Sequence, residues 1–250
     1  MKSYPLFRMA NIVYKYAFWL YYPLYVLYKN ISDRNEMSFV RRSVKPGNRV
    51  VDIGANIGIY TKRLAKLTGS GGEVYAFEPH PRNFALLLKL TRGLLMIKAY
   101  HAAISDQTGT IELYVSTDLN VDHRTYQTAE KRMKQQVACY SLDFFLQEKS
   151  VDFIKMDIQG SEYKALLGMQ KTMHNNPRLT MLMELWPYGL SEAGSSCKAV
   201  IDLLRKNHFF LYLLEKGCLV EFSEQLIECN EHDYYSLYAT KQPCEQFSNR

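Results

Sequence analysis

The amino-acid sequence predicts an α/β fold: a mostly parallel sheet with helices on both faces. Three observations carry this. From residue 41 onward, short apolar runs alternate with segments of helical periodicity. Several of those runs end in an acid or a glycine, the punctuation expected where a strand turns into a helix. The 250 residues, 47% of them apolar, suffice for one large core. The chain divides into an aromatic helical extension (residues 1–40), a main domain (41–242) and a tail (243–250).

The elements follow in order. Residues 49–53 (RVVDI) form the first strand, and Gly54 stops it. Ile57, Tyr60, Leu64 and Leu67 then recur at helical spacing until the glycine cluster at 69–72. A second strand spans 74–77, followed by Glu78-Pro79 and a helix marked by Phe84, Leu87, Leu88 and Thr91. A third strand is expected near 95–100. Residues 102–105 and 111–115 flank a five-residue turn and read as a hairpin. Residues 116–136 are polar and without clear period, as a substrate loop would be. Strands at 151–156 and 179–183 each precede a helix, and 209–214, 219–222 and 234–239 read as late strands. In such a sheet, ligands bind beyond the carboxyl ends of the strands.

Composition excludes several classes. The balance of 31 Lys+Arg against 25 Asp+Glu gives +6, too mild to demand an anionic partner, and no dense basic run reads as a nucleic-acid stripe. Five scattered cysteines without a CxxC pair or Cys/His cluster favour reduced thiols in the cytoplasm over a disulfide framework or a zinc site. Residues 16–28 (YAFWLYYPLYVLY) are uncharged but fall short of the roughly 20 needed to span a bilayer. They read as two short helices broken near Pro23. An apolar stripe packs on protein more often than on lipid, so cover for the main domain or a dimer contact is the favoured reading. The alternative is a peripheral membrane contact, with Arg8, Lys15 and Lys29 near headgroups.

Chemistry is sought at the strand ends, where acids collect. Asp52, Gly54, Asn56 and Gly58 form the first strand-to-helix turn, whose glycines let the backbone bend and approach a ligand. The dinucleotide fingerprint is not met, because Asn56 and Ile59 take the second and third glycine positions. Asp52 would repel a pyrophosphate but suits S-adenosylmethionine, which carries a sulfonium and an ammonium. Glu78, 24 residues beyond Gly54, is placed to accept hydrogen bonds from both ribose hydroxyls. A nicotinamide-dependent oxidoreductase is therefore disfavoured. A non-catalytic adenosyl-binding scaffold would keep this turn yet need no acids further along.

Six stretches then occur in order over residues 49–190: VVDIGANIGIYT, AFEPHP, AISDQTGTIEL, SLDFF, VDFIKMDIQGSEYKALLGM and LMELWP. Together they resemble the FkbM family of class I methyltransferases. The resemblance implies a seven-stranded Rossmann-like sheet, S-adenosylmethionine as methyl donor and O-methylation of a hydroxyl on a sugar, glycolipid or secondary metabolite. It adds Ser105, Asp106 and Asp157 to the donor-binding set. The sequence departs from the family pattern at Gln159, where Glu is usual, and at Ser141, where Thr is common.

Asp157 and Glu184 follow the strands at 151–156 and 179–183, and neighbouring strands would bring both to one rim of the cleft. One could take the proton of a substrate hydroxyl, or the two together could hold a divalent cation, or they could bind the donor's charges. Asp157 is the leading catalytic residue. Glu162 reads as a first-turn charge. His123 is the best-placed histidine for a base, although its neighbours Asp122 and Arg124 suggest a solvated side chain. Arg124, Lys131, Arg132 and Lys134 make the loop basic. No Asn-Pro-Pro-aromatic element follows the fourth strand, so nucleic acid is a weak substrate expectation.

Overall fold

The computed structural model describes residues 4–116, 120–128, 132–215, 217–228, 230 and 232–244, with side chains from residue 9 onward. Three helices open the chain: α1 (Tyr4–Tyr16), α2 (Phe18–Ser32) and α3 (Arg34–Ser43). The alternating region follows with β1 (Arg49–Ile53), α4 (Ile59–Thr68), β2 (Glu73–Phe77), α5 (Pro81–Thr91) and β3 (Ile97–Tyr100). Next come β4 (Ala103–Ile104), β5 (Gly109–Val115), β6 (Met133–Tyr140) and α6 (Leu142–Leu146). The remainder comprises β7 (Phe153–Met156), α7 (Glu162–Leu167), α8 (Gln170–Asn175), β8 (Thr180–Leu185), α9 (Pro187–Glu192), α10 (Cys197–Lys206), β9 (Phe210–Glu215), β10 (Cys218–Glu221) and β11 (Tyr235–Thr240).

The main sheet has the order β10-β9-β11-β8-β7-β1-β2-β3. Strands β3, β2, β1, β7 and β8 are mutually parallel, and β11, β9 and β10 are antiparallel additions at one side. The Rossmann-like sheet expected from sequence is thus present, with β10 as an eighth strand that turns back from β9. Strand pleating sends alternate residues to opposite faces. Val50 and Val74 pack with Met37, Val40 and Leu64 on one face, while Val51, Ile53, Tyr75 and Phe77 join the larger core on the other. Parallel strands buried on both faces need such near-continuous apolar runs.

Two expectations about local structure are corrected. Residues 102–105 and 111–115 do not pair as a hairpin: β4 and β5 both pair with β6, in a small sheet of order β4-β6-β5. Strand β6 includes Met133–Gln136, which sequence reasoning left in the polar loop, so the connection is shorter than expected. Its four first residues are exposed and carry no apolar alternation, so no period marked them. The break in the N-terminal segment also lies elsewhere. It falls at Ala17 (φ −137°), and Pro23 sits inside α2. Pro23 forfeits one helical hydrogen bond there, and ring packing around Tyr21 and Tyr25 holds the helix regardless.

Tyr14 and Tyr21 are buried against Ile57 and Ile59, with Leu86 and Leu90 of α5 beside them. The Arg82 guanidinium donates to the carbonyls of Tyr14 (2.9 Å) and Lys15 (2.7 Å) and lies 4.7 Å over the Tyr14 ring, closing the carboxyl end of α1. The extension therefore covers the main domain. Among the described residues no helix is long and apolar enough to cross a membrane. Cys139, Cys197, Cys218 and Cys244 are free thiols, and Cys229 lies outside the described residues.

Gly58 caps α4 at φ +88°, and a Cβ there would meet Leu87 Cδ1 at 2.6 Å. Gly58→Ala combines a strained φ with overpacking, and should lower unfolding free energy by about 1–3 kcal/mol in urea titrations. An unchanged midpoint would show that α5 yields freely at this contact.

Candidate active site

The carboxyl ends of β2, β1, β7 and β8 open on a cavity of about 670 Å³. Gly54 makes its floor possible. At φ +82°, its absent Cβ would stand 2.0 Å from the Asp157 carbonyl, so only glycine lets the turns after β1 and β7 touch. Asn56 follows at φ +50°, its N–H donating to Glu78 Oε2 at 2.8 Å. The other Glu78 oxygen accepts from His80 N–H, also at 2.8 Å. Main-chain donors thus fix both oxygens, while burial pushes the carboxyl up to about 7. Asp52 is buried and accepts from Thr61 Oγ1 at 2.6 Å; burial raises it to about 6. Asn56 Oδ1 is buried without a protein partner in this cavity wall, as a group awaiting a ligand donor would be.

Asp157 and Glu184 do meet at one rim. The β7–β8 register pairs Met156 with Met183, which sets Asp157 level with Glu184. The Gln159 side-chain amide joins them, donating to Asp157 Oδ1 at 3.0 Å and Glu184 Oε2 at 2.8 Å. Gln159 holds φ +54° to do so, and Tyr126 Oη donates to its carbonyl at 2.7 Å. Burial works to raise Asp157, but the Lys155 ammonium 3.6 Å away and the Gln159 amide outweigh it, leaving the carboxyl below its usual range. Burial and the Asp157 charge drive Glu184 well above its own. The rim therefore pairs an acid that gives up its proton readily with one that holds it to higher pH. Among the described residues, no group of three His, Cys, Asp or Glu side chains is arranged to hold a metal ion. The amide occupies the place where a third acid would complete such a set.

Three expected donor-site residues stand outside the cavity wall. Gly58 faces α5, as described above. Ser105 and Asp106 hydrogen-bond to each other (2.9 Å), and the Ser105 carbonyl packs against Gly168. The β4–β6 pairing turns them away, so Ala102, Ala103 and Ile104 line the cavity instead. His123 does line it, but differently from the solvated base expected. It accepts from Ser116 N–H through Nδ1 at 3.2 Å and stacks on His80 at 4.0 Å between centroids. Its Nε2 is buried without a partner. Burial depresses its pKa to about 3, so the ring is neutral and presents Nε2–H as a donor rather than a proton acceptor. The loop's basic character is also largely internal: Asp122 pairs with Arg124 (2.7 Å) and Arg132 (2.6 Å). Lys134 lies in β6 beside Glu112, and Lys131 falls outside the described residues.

Sequence reasoning missed several contributors. Lys155, buried and flanked by Asp157, Glu36, Glu184 and Asp52, lies 5.1 Å over the Tyr60 ring. Glu162 is fully buried, where a surface first-turn charge was expected; it accepts from Ile158 N–H at 3.1 Å and is raised by burial to about 7. Most unexpected is the outer wall, built by Met9, Val13, Leu24, Tyr25, Tyr28 and Lys29 of α1 and α2. A relay of Tyr14, Asn83, Asn120 and Tyr21 ties these helices to α5 and to the segment that carries His123. The sequence favoured cover for the main domain or a dimer contact for this segment, but its aromatic density gave no sign that it lines the cavity.

Asp52, Glu78, Glu162 and Glu184 are all raised above their unfolded values. Between about pH 4 and 7 the folded chain holds protons that the unfolded chain has released, so these four groups stabilise less as pH rises through that window. His80 and His123 are lowered and act oppositely below their unfolded value of 6.5. Four groups outweigh two, so the ligand-free protein should melt at a higher temperature at about pH 5 than at about pH 7.5. The reverse order in thermal unfolding would contradict the burial of these carboxyls.

Residues 52–211, well over half the chain, match the Methyltransferase FkbM domain. The chain is 28% identical over 178 residues to the 2-O-methyltransferase NoeI of Sinorhizobium fredii, covering 64% of this chain and 72% of that protein. Its fold is similar to that of a proposed rRNA methylase from Clostridium thermocellum (13% identity, 82% of this chain, 92% of that chain, TM-score 0.52). A SAM-dependent O-methyltransferase from Thermotoga maritima also aligns (16% identity, 84% of this chain, 66% of that chain, TM-score 0.48). With that family match over the strand ends that build the cavity, the chain belongs to the FkbM methyltransferase family and is an S-adenosylmethionine-dependent methyltransferase.

Proposed function

We propose that the chain methylates a hydroxyl oxygen on a small-molecule acceptor (a sugar, a glycolipid or a secondary metabolite), with Asp157 as the residue that receives the hydroxyl proton. One observation carries the reading. More than a third of the Asp157 side chain is open, and it opens into the cavity that also holds Asp52 and Glu78. The similarity to a 2-O-methyltransferase agrees with it.

The residues fit the donor. Glu78, oriented by two main-chain donors, has lone pairs left for ribose hydroxyls. Asp52 and the unpartnered Asn56 Oδ1 suit an ammonium. When bound, S-adenosylmethionine supplies a methyl group on a positively charged sulfur. The protein's part is positioning. Asp157 accepts the acceptor's O–H hydrogen bond and so aims an oxygen lone pair. The hydroxyl proton that methylation of the oxygen would displace passes to the Asp157 carboxylate. Gln159 keeps that carboxylate in place, and protonated Glu184 spares it a second adjacent negative charge. The apolar wall from α1 and α2 excludes water from the reacting centre.

Asp157→Ala should lower turnover by about 10²–10⁴-fold while leaving donor binding measurable by calorimetry; full activity would remove Asp157 from the mechanism. Asp52 and Glu78 must be ionised to meet the donor, and they titrate at about 6 and about 7 in the ligand-free protein. Donor affinity should therefore strengthen as pH rises through that range, with protons released on binding. Calorimetry in buffers of different ionisation enthalpy reads that release directly. Proton uptake would refute the assignment.

A further inference from the structure

Nine of the eighteen large hydrophobic side chains exposed among the described residues fall between Met9 and Ile31. They are not scattered. Leu20, Leu24, Leu27 and Ile31 are spaced four, three and four apart along α2, and Met9, Ile12 and Tyr16 three and four apart along α1. Each set is one outward helical stripe on a helix whose inner side is already filled: Tyr14 and Tyr21 are buried there, with Val13, Phe18, Tyr25 and Val26 partly buried beside them. Trp19, 79% exposed, stands at the start of α2.

Charge follows the same segment. Residues 1–43 hold seven Lys or Arg and two Asp or Glu, a surplus of five within a chain whose total is +6. Helices α1 and α2 contain Arg8, Lys15 and Lys29 and no acid; Lys29 is paired with Asp33 at the end of α2 (2.9 Å), so Arg8 and Lys15 are the basic residues these two helices contribute beyond that pair. Pairing this surface with the same surface of a second copy would set like charges against one another. An anionic bilayer answers both the charge and the aliphatic stripes, with tyrosine and tryptophan at the wet boundary. The 15-residue length of α2 fits a helix lying on a membrane, since about 20 residues are needed to cross one.

The stripes also run into the active site. Met9, Leu24 and Tyr28 are each more than half exposed, and each lines the cavity. The cavity mouth is therefore bordered by the same surface that would rest on lipid.

We infer that the α1–α2 face docks on an anionic membrane and that the acceptor is an amphiphile held in it, its hydroxyl-bearing head reaching Asp157 while its apolar tail runs out along Met9, Leu24 and Tyr28. The acceptor class rests on the methyl-transfer reading above; the docking does not. The test uses the full chain and the double variant Trp19→Glu/Leu27→Glu, whose sites are exposed and outside the cavity, with circular dichroism and donor calorimetry confirming that the variant folds and binds donor as before. Wild-type protein should float with phosphatidylcholine–phosphatidylglycerol vesicles, float less as salt is raised, and float poorly with phosphatidylcholine alone. The variant's vesicle-bound fraction should fall about tenfold or more. Absence of flotation with anionic vesicles, or a wild-type dimer that the variant dissolves, would overturn docking. For the acceptor, methyl-labelled donor is incubated with a chloroform–methanol extract and with an aqueous extract of the source cells. Label in the chloroform phase is the expected result, and its absence overturns the amphiphile. Flotation needs no turnover, so it separates that failure from a failure of the methyl-transfer reading.

Discussion

The active site depends on one buried ammonium. Four acidic side chains, Asp52, Glu36, Asp157 and Glu184, bear on Lys155, itself only 5% exposed on the central strand β7. A buried carboxylate without compensation shifts its pKa or costs several kcal/mol. Lys155 supplies the compensation unequally. It sits 3.6 Å from Asp157, which stays ionised, while Asp52 and Glu184 remain protonated to higher pH. The distribution of protons over the cavity floor is thus set by where one strand places one lysine.

That placement needs the rest of the fold. The parallel register of β1 and β7 sets Lys155 beside Asp52, and the β7–β8 register brings Glu184 level with Asp157. Tyr60 of α4 lies beneath the ammonium, and its hydroxyl donates to Glu36 of α3, whose other oxygen accepts from Ser236 Oγ at 2.5 Å. A helix outside the alternating region thereby joins the electrostatics of the sheet. The Tyr14–Asn83–Asn120–Tyr21 relay does the same for α1 and α2, so the aromatic helices, α5 and the His123 segment hold one another in place over the cavity.

The sheet was legible because buried parallel strands must be apolar and must end where a turn begins, and RVVDI-Gly and FIKM-Asp state both conditions locally. Glu78 and Asp157 were legible for the same reason, since strand ends are where the topology puts ligands. Gly54 and Gly58 could not be told apart by sequence, because both take positive φ and only tertiary contacts decide that one touches Asp157 and the other Leu87. Ser105 and Asp106 were misplaced because their orientation depends on β6, a strand whose first half is exposed and polar. His123 looked solvated from its charged neighbours, yet Asp122 spends its charge on Arg124 and Arg132 and leaves the histidine to be buried.

Gln159 shows why a single departure from a family pattern matters physically. An acid there would place a third carboxyl against Asp157 and Glu184, and mutual repulsion would be relieved by protonation or by a cation. The amide relieves it differently, by donating one hydrogen to each neighbour. This fixes the separation of the two carboxyls without adding charge, and it commits the Gln159 backbone to the left-handed region at φ +54°. Tyr126 then secures that conformation from the loop side, through a hydrogen bond to the Gln159 carbonyl. The segment over the cavity and the Asp157–Glu184 rim are therefore coupled through one residue, and displacement of residues 120–128 would loosen the orientation of Asp157 as well as open the site.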